Sequence, residues 1–334
     1  MLMGGKILNV MQIVFGHILT PAATGLFFLI SGFLYFYNVK EFNLTIYKNK
    51  TISRFKTLLL PYLIWNSICT LYDLVVQIYN YKSLRDIINF DFGSKLWCCH
   101  QWGINSLNII GNSMPMTGPA DLPLWFLRDL IVVSFCTPII YWLLKKFRYF
   151  FPIIMISLYI TQLWTSVPGF SIESFMFFSL GAYMAIEKKE FVLVTSKSLN
   201  ITFLVLAIAF VVTSLNMYPK SFQEIRFIQQ ITTVFVALSI LRIAIAIDKK
   251  YSFEMPLLIN KSTFFVYAIH ACGLFLAPTV LMLKIESHIH LHSEFVLCLI
   301  YLISPFIVYG ISLVYYSLFC KMFKPIMPYL TGNR

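Results

Sequence analysis

The chain has 334 residues, a formal net charge of +12 and 12% charged residues, about half the ~25% that soluble domains usually carry. With a mean hydropathy of +0.77, this deficit excludes an ordinary soluble domain and indicates a protein surrounded by membrane lipids. The positive charge is spread over short segments between apolar runs. Membrane topology therefore explains it better than nucleic-acid binding does, and no nucleic-acid partner is expected.

Continuous apolar runs near the spanning length of ~20 residues predict an all-α fold, a polytopic transmembrane helical bundle of about nine spans. The expected spans cover residues 17–37, 57–80, 122–144, 149–167, 171–187, 199–217, 227–247, 262–283 and 295–320. No repeat or second domain is visible, so residues 1–334 are interpreted as a single integral-membrane domain. The long connection 81–121 is expected to form an external loop that covers the mouth of the bundle.

Lysine and arginine are concentrated in alternate connections, which indicates the side of the membrane on which each connection lies. The basic connections, expected to be cytoplasmic, are 38–56, 145–148, 188–197, 248–261 and the C-terminal tail. The less basic connections, expected to be external, are 81–121, 168–170, 218–226 and 284–294. The pattern predicts a multi-pass membrane protein with a cytoplasmic C-terminus and an external N-terminus. No cleavable signal peptide is visible.

Seven cysteines are scattered along the chain without a CxxC pair, and no disulfide framework is expected. Cys69 and Cys272 lie in apolar runs and are interpreted as small buried residues. In segment 286–294 every second position is acidic or histidine: Glu286, His288, His290, His292 and Glu294. An extended conformation would place them on one face and suit a metal, whereas a short helical linker would not, and no metal is predicted.

Short motifs recur in a defined order: 26–34 (LFFLISGFL), Arg54 followed by 60–65 (LPYLIW), 123–130 (PLWFLRDL) and 265–270 (FVYAIH). Together they resemble the integral-membrane acyltransferases of family three, and the resemblance spans most of the chain. Members of that family move an acyl group, often acetyl, from coenzyme A to a sugar hydroxyl of a cell-surface glycan. The resemblance implies acyl-CoA (acetyl-CoA) as co-substrate, a glycan or lipid-linked sugar as acceptor, and no bound cofactor.

The chain departs from the family pattern at its start. Family members usually have one more span, and their first helix carries an Arg and a His that looks like the catalytic base. No Arg precedes His17, which lies close to Ser31 and Gly32. The sequence therefore predicts that the family's first helix is absent, which leaves an inactive, truncated member as one alternative.

His270 and His17 are the candidate catalytic bases. His270 lies inside an apolar span, where an ionisable side chain is costly and is a functional candidate by default. It could accept a proton from a sugar hydroxyl, or it could only hydrogen-bond another helix. His17 is expected near the external end of the first span, and the same alternatives apply to it.

Arg54 and Lys56 lie at the predicted cytoplasmic mouth, just before the Leu-Pro-Tyr step. Arginine binds phosphate in a bidentate manner, so these residues are candidates for binding coenzyme A. The alternative is a pair of ordinary positive-inside anchors. Ser31, with Gly32, forms a small-residue step that indicates either close helix packing or a backbone opening beside the acyl chain.

Trp125, Arg128 and Asp129 lie near the external end of the third predicted span. Adjacent helical positions point about 100° apart, so Arg128 and Asp129 are not expected to pair with each other. They are candidates for lining the acceptor pocket. The alternative is an interfacial tryptophan with a structural ion pair to another helix.

With these residues, the resemblance implies an O-acyltransferase of a bacterial inner (plasma) membrane that moves an acyl group from acyl-CoA to a hydroxyl of a cell-surface or lipid-linked glycan. A second hypothesis is a glycan or lipid exporter without chemistry of its own, in which His, Arg and Asp would line a transport path. Many transporters show paired hydrophobic halves, and this sequence shows none.

Overall fold

The computed structural model describes residues 6–81, 91–107, 113–164, 167–187, 222–251, 254–272 and 294–332, with scattered positions between 201 and 213. Several sequence predictions lie outside these residues. They are the loop 188–197, most of the span 199–217, the start of the connection 218–226, the second half of the span 262–283, and the metal alternative for His288, His290 and His292.

Helices make up almost all of the described structure. In chain order they are α1 (Lys6–Gln12), a π-helical segment (Ile13–Leu19), α2 (Thr20–Phe36), α3 (Leu44–Arg54), a second π-helical segment (Phe55–Leu59), α4 (Leu60–Tyr81), α5 (Phe92–Cys98), α6 (Trp125–Phe135), α7 (Thr137–Phe147), α8 (Phe150–Thr161), α9 (Ile172–Ile186), α10 (Phe222–Tyr251), α11 (Leu257–Ile269), α12 (Glu294–Met322) and α13 (Met327–Thr331). Strands β1 (His100–Leu107) and β2 (Ser113–Gly118) lie between α5 and α6.

The lengths of these helices confirm an all-α polytopic membrane protein. Within the described residues, four helices are long and apolar enough to cross a membrane: Ile7–Phe36, Leu44–Tyr79, Phe227–Tyr251 and Glu294–Met322. The bent pair α6–α7 would make a fifth span. The other predicted spans meet shorter apolar helices, namely α8, α9, α11 and Leu204–Thr213, of which only part is described. Nine full-length spans are therefore not confirmed, since each of these helices is shorter than the ~20 residues that a span requires.

The first helix begins earlier than the sequence predicted. It is continuous over Ile7–Phe36, 30 residues, although the first span was expected to begin at residue 17. The prediction was wrong because the N-terminal residues are mildly apolar and only one of them, Lys6, is charged. His17 consequently lies well inside the helix and not at its end.

Glu294 caps this first helix. Its carboxylate accepts hydrogen bonds from the backbone N–H groups of Ile7 and Leu8, at 2.6 and 3.3 Å. The first N–H groups of a helix have no partner within the helix, and a carboxylate is favourable there. The last acidic residue of the alternating segment therefore holds the starts of α12 and α1 together.

The third predicted span, 122–144, is not a straight helix. Its two halves, α6 and α7, meet at an angle of 62° at Cys136. Pro138 lies in the first turn of α7. Because proline has no N–H to donate, it interrupts the hydrogen-bond ladder that a continuous helix would need.

The connection 81–121 contains more ordered structure than the predicted loop. Asp91 caps α5 by accepting a hydrogen bond from the Ser94 N–H, at 3.1 Å. β1 and β2 then pair as an antiparallel hairpin, from His100 opposite Gly118 to Leu107 opposite Ser113, with an irregularity between Trp102 and Ser106. Together α5 and the two strands form a cap, a term used below for residues 92–107 and 113–118, which packs on α4 and α6.

The tightest helix contact joins α2 and α9. A Cβ atom on Gly32 would lie 2.1 Å from the backbone oxygen of Phe178, and one on Gly181 would lie 1.9 Å from that of Leu29. The two helices can approach this closely only because both contact positions are glycine. Ser31 is buried beside this contact, so the Ser-Gly step is placed at a close helix packing site.

Replacing Gly32 with valine is expected to lower the free energy of unfolding by about 3 kcal/mol, because the new side chain must displace the Phe178 backbone. The change can be measured as unfolding in SDS after purification in detergent. Gly310→Val is the matched control, since a Cβ atom there meets nothing within 4 Å. Equal stability of the two variants would contradict the close contact between α2 and α9.

Candidate active site

A cavity of about 690 Å³ lies between α2, the turn before α6, and α11. Most of its wall is apolar, including Phe27, Phe126 and Phe264. Its polar groups come from different parts of the chain: Thr20, Thr24, Trp125, Thr263, Tyr267 and His270. A predominantly apolar cavity with a few converging polar groups is the usual form of a small-molecule site.

His270 supplies the ionisable group of this cavity. It stands at the C-terminal end of α11, and its Nδ1 lies 2.7 Å from the backbone oxygen of Tyr267. A carbonyl oxygen can only accept a hydrogen bond, so in the neutral ring Nδ1 carries the proton. Nε2 is then the nitrogen that can accept a proton from another molecule.

Tyr267 connects α11 to the turn before α6. Its hydroxyl donates a hydrogen bond to the backbone oxygen of Pro123, and its ring meets the ring of Phe126 edge-on at 4.8 Å. The motifs 123–130 and 265–270 are thereby brought to one cavity, which contains both His270 and Trp125. The sequence singled out those two residues, but not Tyr267.

Asp121 is a buried group that sequence reasoning missed. It is fully buried, and its backbone N–H donates to the side-chain oxygen of Asn66, at 2.9 Å. Neither carboxyl oxygen has a hydrogen-bond partner within the described part of the chain. Burial, together with the nearby Cys272 thiol, raises the pKa of the Asp121 carboxyl well above its ordinary range.

Arg128 and Asp129 form a buried ion pair, contrary to the sequence prediction. Arg128 Nε lies 3.0 Å from Asp129 Oδ1, with side-chain exposures of 4% and 2%. The prediction considered only where each side chain leaves the helix. It was wrong because the long arginine side chain reaches back to the neighbouring carboxylate.

The rest of the Arg128 guanidinium holds the cap. Nη1 donates to the backbone oxygen of Trp97 at 2.7 Å, and Nη2 donates to that of Thr117 at 2.9 Å. Asp129 also accepts hydrogen bonds from Ser171 at the start of α9. The pair therefore joins α6 to the cap and to α9, and Arg128 is not among the residues that line the cavity.

Arg54 lies in a basic cluster at the C-terminal end of α3. Its guanidinium is 5.7 Å from the centroid of the Tyr35 ring, and Lys50 Nζ is 4.9 Å from the same ring. Lys56 is exposed on the π-helical segment that follows. The cluster over Tyr35 therefore consists of Arg54, which the sequence predicted, and Lys50, which it did not. Lys56, the other predicted residue, is exposed.

His17 lies outside the residues that line the cavity. Its side chain is exposed, and its backbone oxygen accepts a hydrogen bond from Gln229 Nε2, at 2.6 Å. The π-helical geometry around it leaves carbonyl groups available for partners other than the helix itself. The structure therefore ties His17 to α10 and does not bring it beside His270.

A family model described as an acyltransferase domain, family 3, matches residues 4–320 of the chain. The match includes the cavity, the basic cluster and the cap. No curated protein and no solved structure matches the chain.

Proposed function

We propose a function from the premise that the chain belongs to acyltransferase family 3. It is a membrane acyltransferase. The proposed donor is acyl-CoA, with acetyl-CoA as the first expectation. The proposed acceptor is a hydroxyl of a cell-surface or lipid-linked glycan. The reaction forms an oxygen ester and releases coenzyme A. The proposal rests chiefly on one observation, the cavity into which His270 projects an imidazole with a defined tautomer.

In the proposed reaction, His270 Nε2 takes the proton of the acceptor hydroxyl while the oxygen of that hydroxyl attacks the thioester carbonyl carbon. The tetrahedral intermediate then expels the coenzyme A thiolate, and the proton passes from His270 to that sulfur. The Tyr267 carbonyl supports this step because it accepts from Nδ1–H and so stabilises the imidazolium that forms. Trp125, on the same wall, offers an aromatic face to the sugar acceptor.

The cap and the buried ion pair support the acceptor side of the cavity. Arg128 lies in the first turn of α6, which begins at Trp125, and its hydrogen bonds hold the cap at this end of the helix. We assign Arg128 and Asp129 a positioning role, in which they hold the cap where an acceptor would enter. Ser31 is assigned to helix packing, because it lies beside the contact of α2 with α9.

The proposed orientation is that of a bacterial inner membrane protein with a cytoplasmic C-terminus. Acyl-CoA is cytoplasmic, so its phosphates would meet the basic cluster of Lys50 and Arg54. The cluster contains an arginine, whose guanidinium can bind phosphate through two parallel hydrogen bonds. The thioester would then extend into the bundle towards His270.

Arg54→Ala is expected to raise the KM for acyl-CoA about tenfold with little change in kcat, because it removes ~1.4 kcal/mol of binding that is remote from the reacting atoms. Steady-state transfer rates over a range of acyl-CoA concentrations measure this change. Lys56→Ala is the matched control, since Lys56 is exposed. An unchanged KM in Arg54→Ala, or an equal rise in both variants, would contradict the assignment.

The test of the proposed function uses membranes from cells that do or do not produce the protein. They are incubated with acetyl-CoA labelled in the acetyl group, and the lipid-linked and polysaccharide fractions are separated. The proposal predicts alkali-labile label in one fraction only when the protein is present. If glycan crosses the membrane but no label is transferred, the exporter hypothesis is favoured.

A further inference from the structure

We propose that Cys69 and Cys272 form a reversible disulfide bond that joins α4 to the segment following α11. The two sulfur atoms lie 2.7 Å apart, although the residues are 203 positions apart in sequence. Both residues are buried, with exposures of 4% and 1%. This inference concerns thiol chemistry alone and does not rest on the proposed function.

The separation of the sulfurs is the first argument. At 2.7 Å the two sulfurs are closer than the contact of two non-bonded sulfurs. Bond formation needs a further approach of about 0.7 Å, to the ~2.05 Å of a disulfide bond. The two cysteines come from different helical segments, so the bond would cross-link α4 covalently to the segment that follows α11.

The surroundings of the pair supply a proton acceptor. Asp121 lies near Cys272, and its two carboxyl oxygens have no hydrogen-bond partner among the described residues. A thiol must lose its proton before its sulfur can attack a disulfide. In its ionised form, the Asp121 carboxylate lies near Cys272 and can accept the proton that this thiol must lose.

The oxidant is a disulfide, either a small molecule or a protein disulfide of the oxidising environment outside the membrane. One cysteine thiolate attacks that disulfide, forms a mixed disulfide and expels the first thiolate of the oxidant. The second cysteine thiolate then attacks the mixed disulfide, closes the bond and expels the second one. Two cysteine thiols are oxidised, and the oxidant is reduced to two thiols.

The position of the bond gives it a structural consequence. Cys272 follows His270 by two residues, and the intervening Ala271 lines the cavity. The bond therefore fixes one end of the cavity wall to α4, and its reduction removes this covalent link.

The test is differential alkylation of the full-length protein. Cells are quenched in acid, thiols are blocked in SDS with light iodoacetamide, and the sample is then reduced and labelled with heavy iodoacetamide. The proposal predicts heavy label at both Cys69 and Cys272, light label at Cys136 and Cys298, and a linked 69–272 peptide pair in the unreduced digest. Cys69→Ser should convert Cys272 to light label.

The purified wild-type protein is also treated with oxidised glutathione before the same labelling. Light label at both Cys69 and Cys272 after this treatment would overturn the proposal and leave the pair as a packing contact. A linked peptide that joins either residue to a different cysteine would overturn it as well. The wild-type peptide map decides the question even if Cys69→Ser fails to fold.

Discussion

Replacing His270 with glutamine is expected to lower the rate of acyl transfer by about 10²–10⁴-fold, the usual contribution of a general base. Glutamine fills a similar volume but cannot take up a proton, so only the chemical step should be affected. The rate is measured as the loss of the acetyl thioester from acetyl-CoA in membranes that contain the acceptor. The melting temperature in detergent should stay close to that of the wild type.

His100→Gln is the matched control, because His100 is exposed on β1 and its Nε2 lies 3.2 Å from the backbone oxygen of Ala120, away from the cavity. It should transfer at the wild-type rate. His17→Gln should reduce the rate less than His270→Gln, since His17 does not line the cavity. If His17→Gln abolished transfer and His270→Gln did not, the base would be His17, and His270 would have only a packing role.

Replacing Arg128 with methionine is expected to lower the free energy of unfolding by about 3–5 kcal/mol, because it leaves the buried Asp129 carboxylate without its charged partner. The variant also loses the hydrogen bonds that hold the backbone of Trp97 and Thr117. The cap should therefore detach first. Unfolding in SDS measures the stability, and limited proteolysis within residues 92–118 measures the release of the cap.

Lys95→Met provides the comparison. Lys95 pairs with Asp73 at 3.3 Å, but the two side chains are 25% and 39% exposed, and an ion pair at the surface contributes only about 0–1 kcal/mol. The double variant Arg128→Met with Asp129→Leu should recover part of the lost stability, since it removes both charges of the pair and leaves neither one unpaired. Equal effects of Lys95→Met and Arg128→Met would contradict the structural role of the buried pair.

The all-α membrane fold could be predicted because it depends on composition and on the length of apolar runs. Those properties are local, and in the described part of the chain each span predicted from them coincides with an apolar helix. The ends were less predictable. The start of the first helix depends on residues 6–16, which are only mildly apolar, and the bend at Cys136 depends on whether Pro138 breaks a helix or merely starts one.

The contacts between distant residues could not be predicted from one sequence. The Asn66 side chain accepts a hydrogen bond from the backbone N–H of Asp121, 55 positions away. No local sequence pattern predicts such a pair. The strands of the hairpin contain Gly103, Asn105, Ser106, Pro115 and Gly118. Because these residues have low β-propensity and are typical of turns, the segment was predicted to be a loop.

The candidate site was predicted in part. His270 and Trp125 were identified from their motifs, and the structure places both on one cavity wall. Tyr267 lies in the same motif as His270, but its connection to Pro123 depends on how two separate helices pack. Lys50 was missed because, within a basic connection, nothing in the sequence distinguishes a lysine that lies over Tyr35 from one in solvent.

The central claim is that this membrane protein transfers an acyl group from acyl-CoA by means of His270. The most direct test is the release of free coenzyme A from acetyl-CoA by the purified protein in liposomes that contain a glycolipid extract of the native cell. We expect ester formation and an equal release of coenzyme A with the wild-type protein, both reduced at least ~100-fold in His270→Gln. Release no faster than that of His270→Gln or of empty liposomes would contradict it.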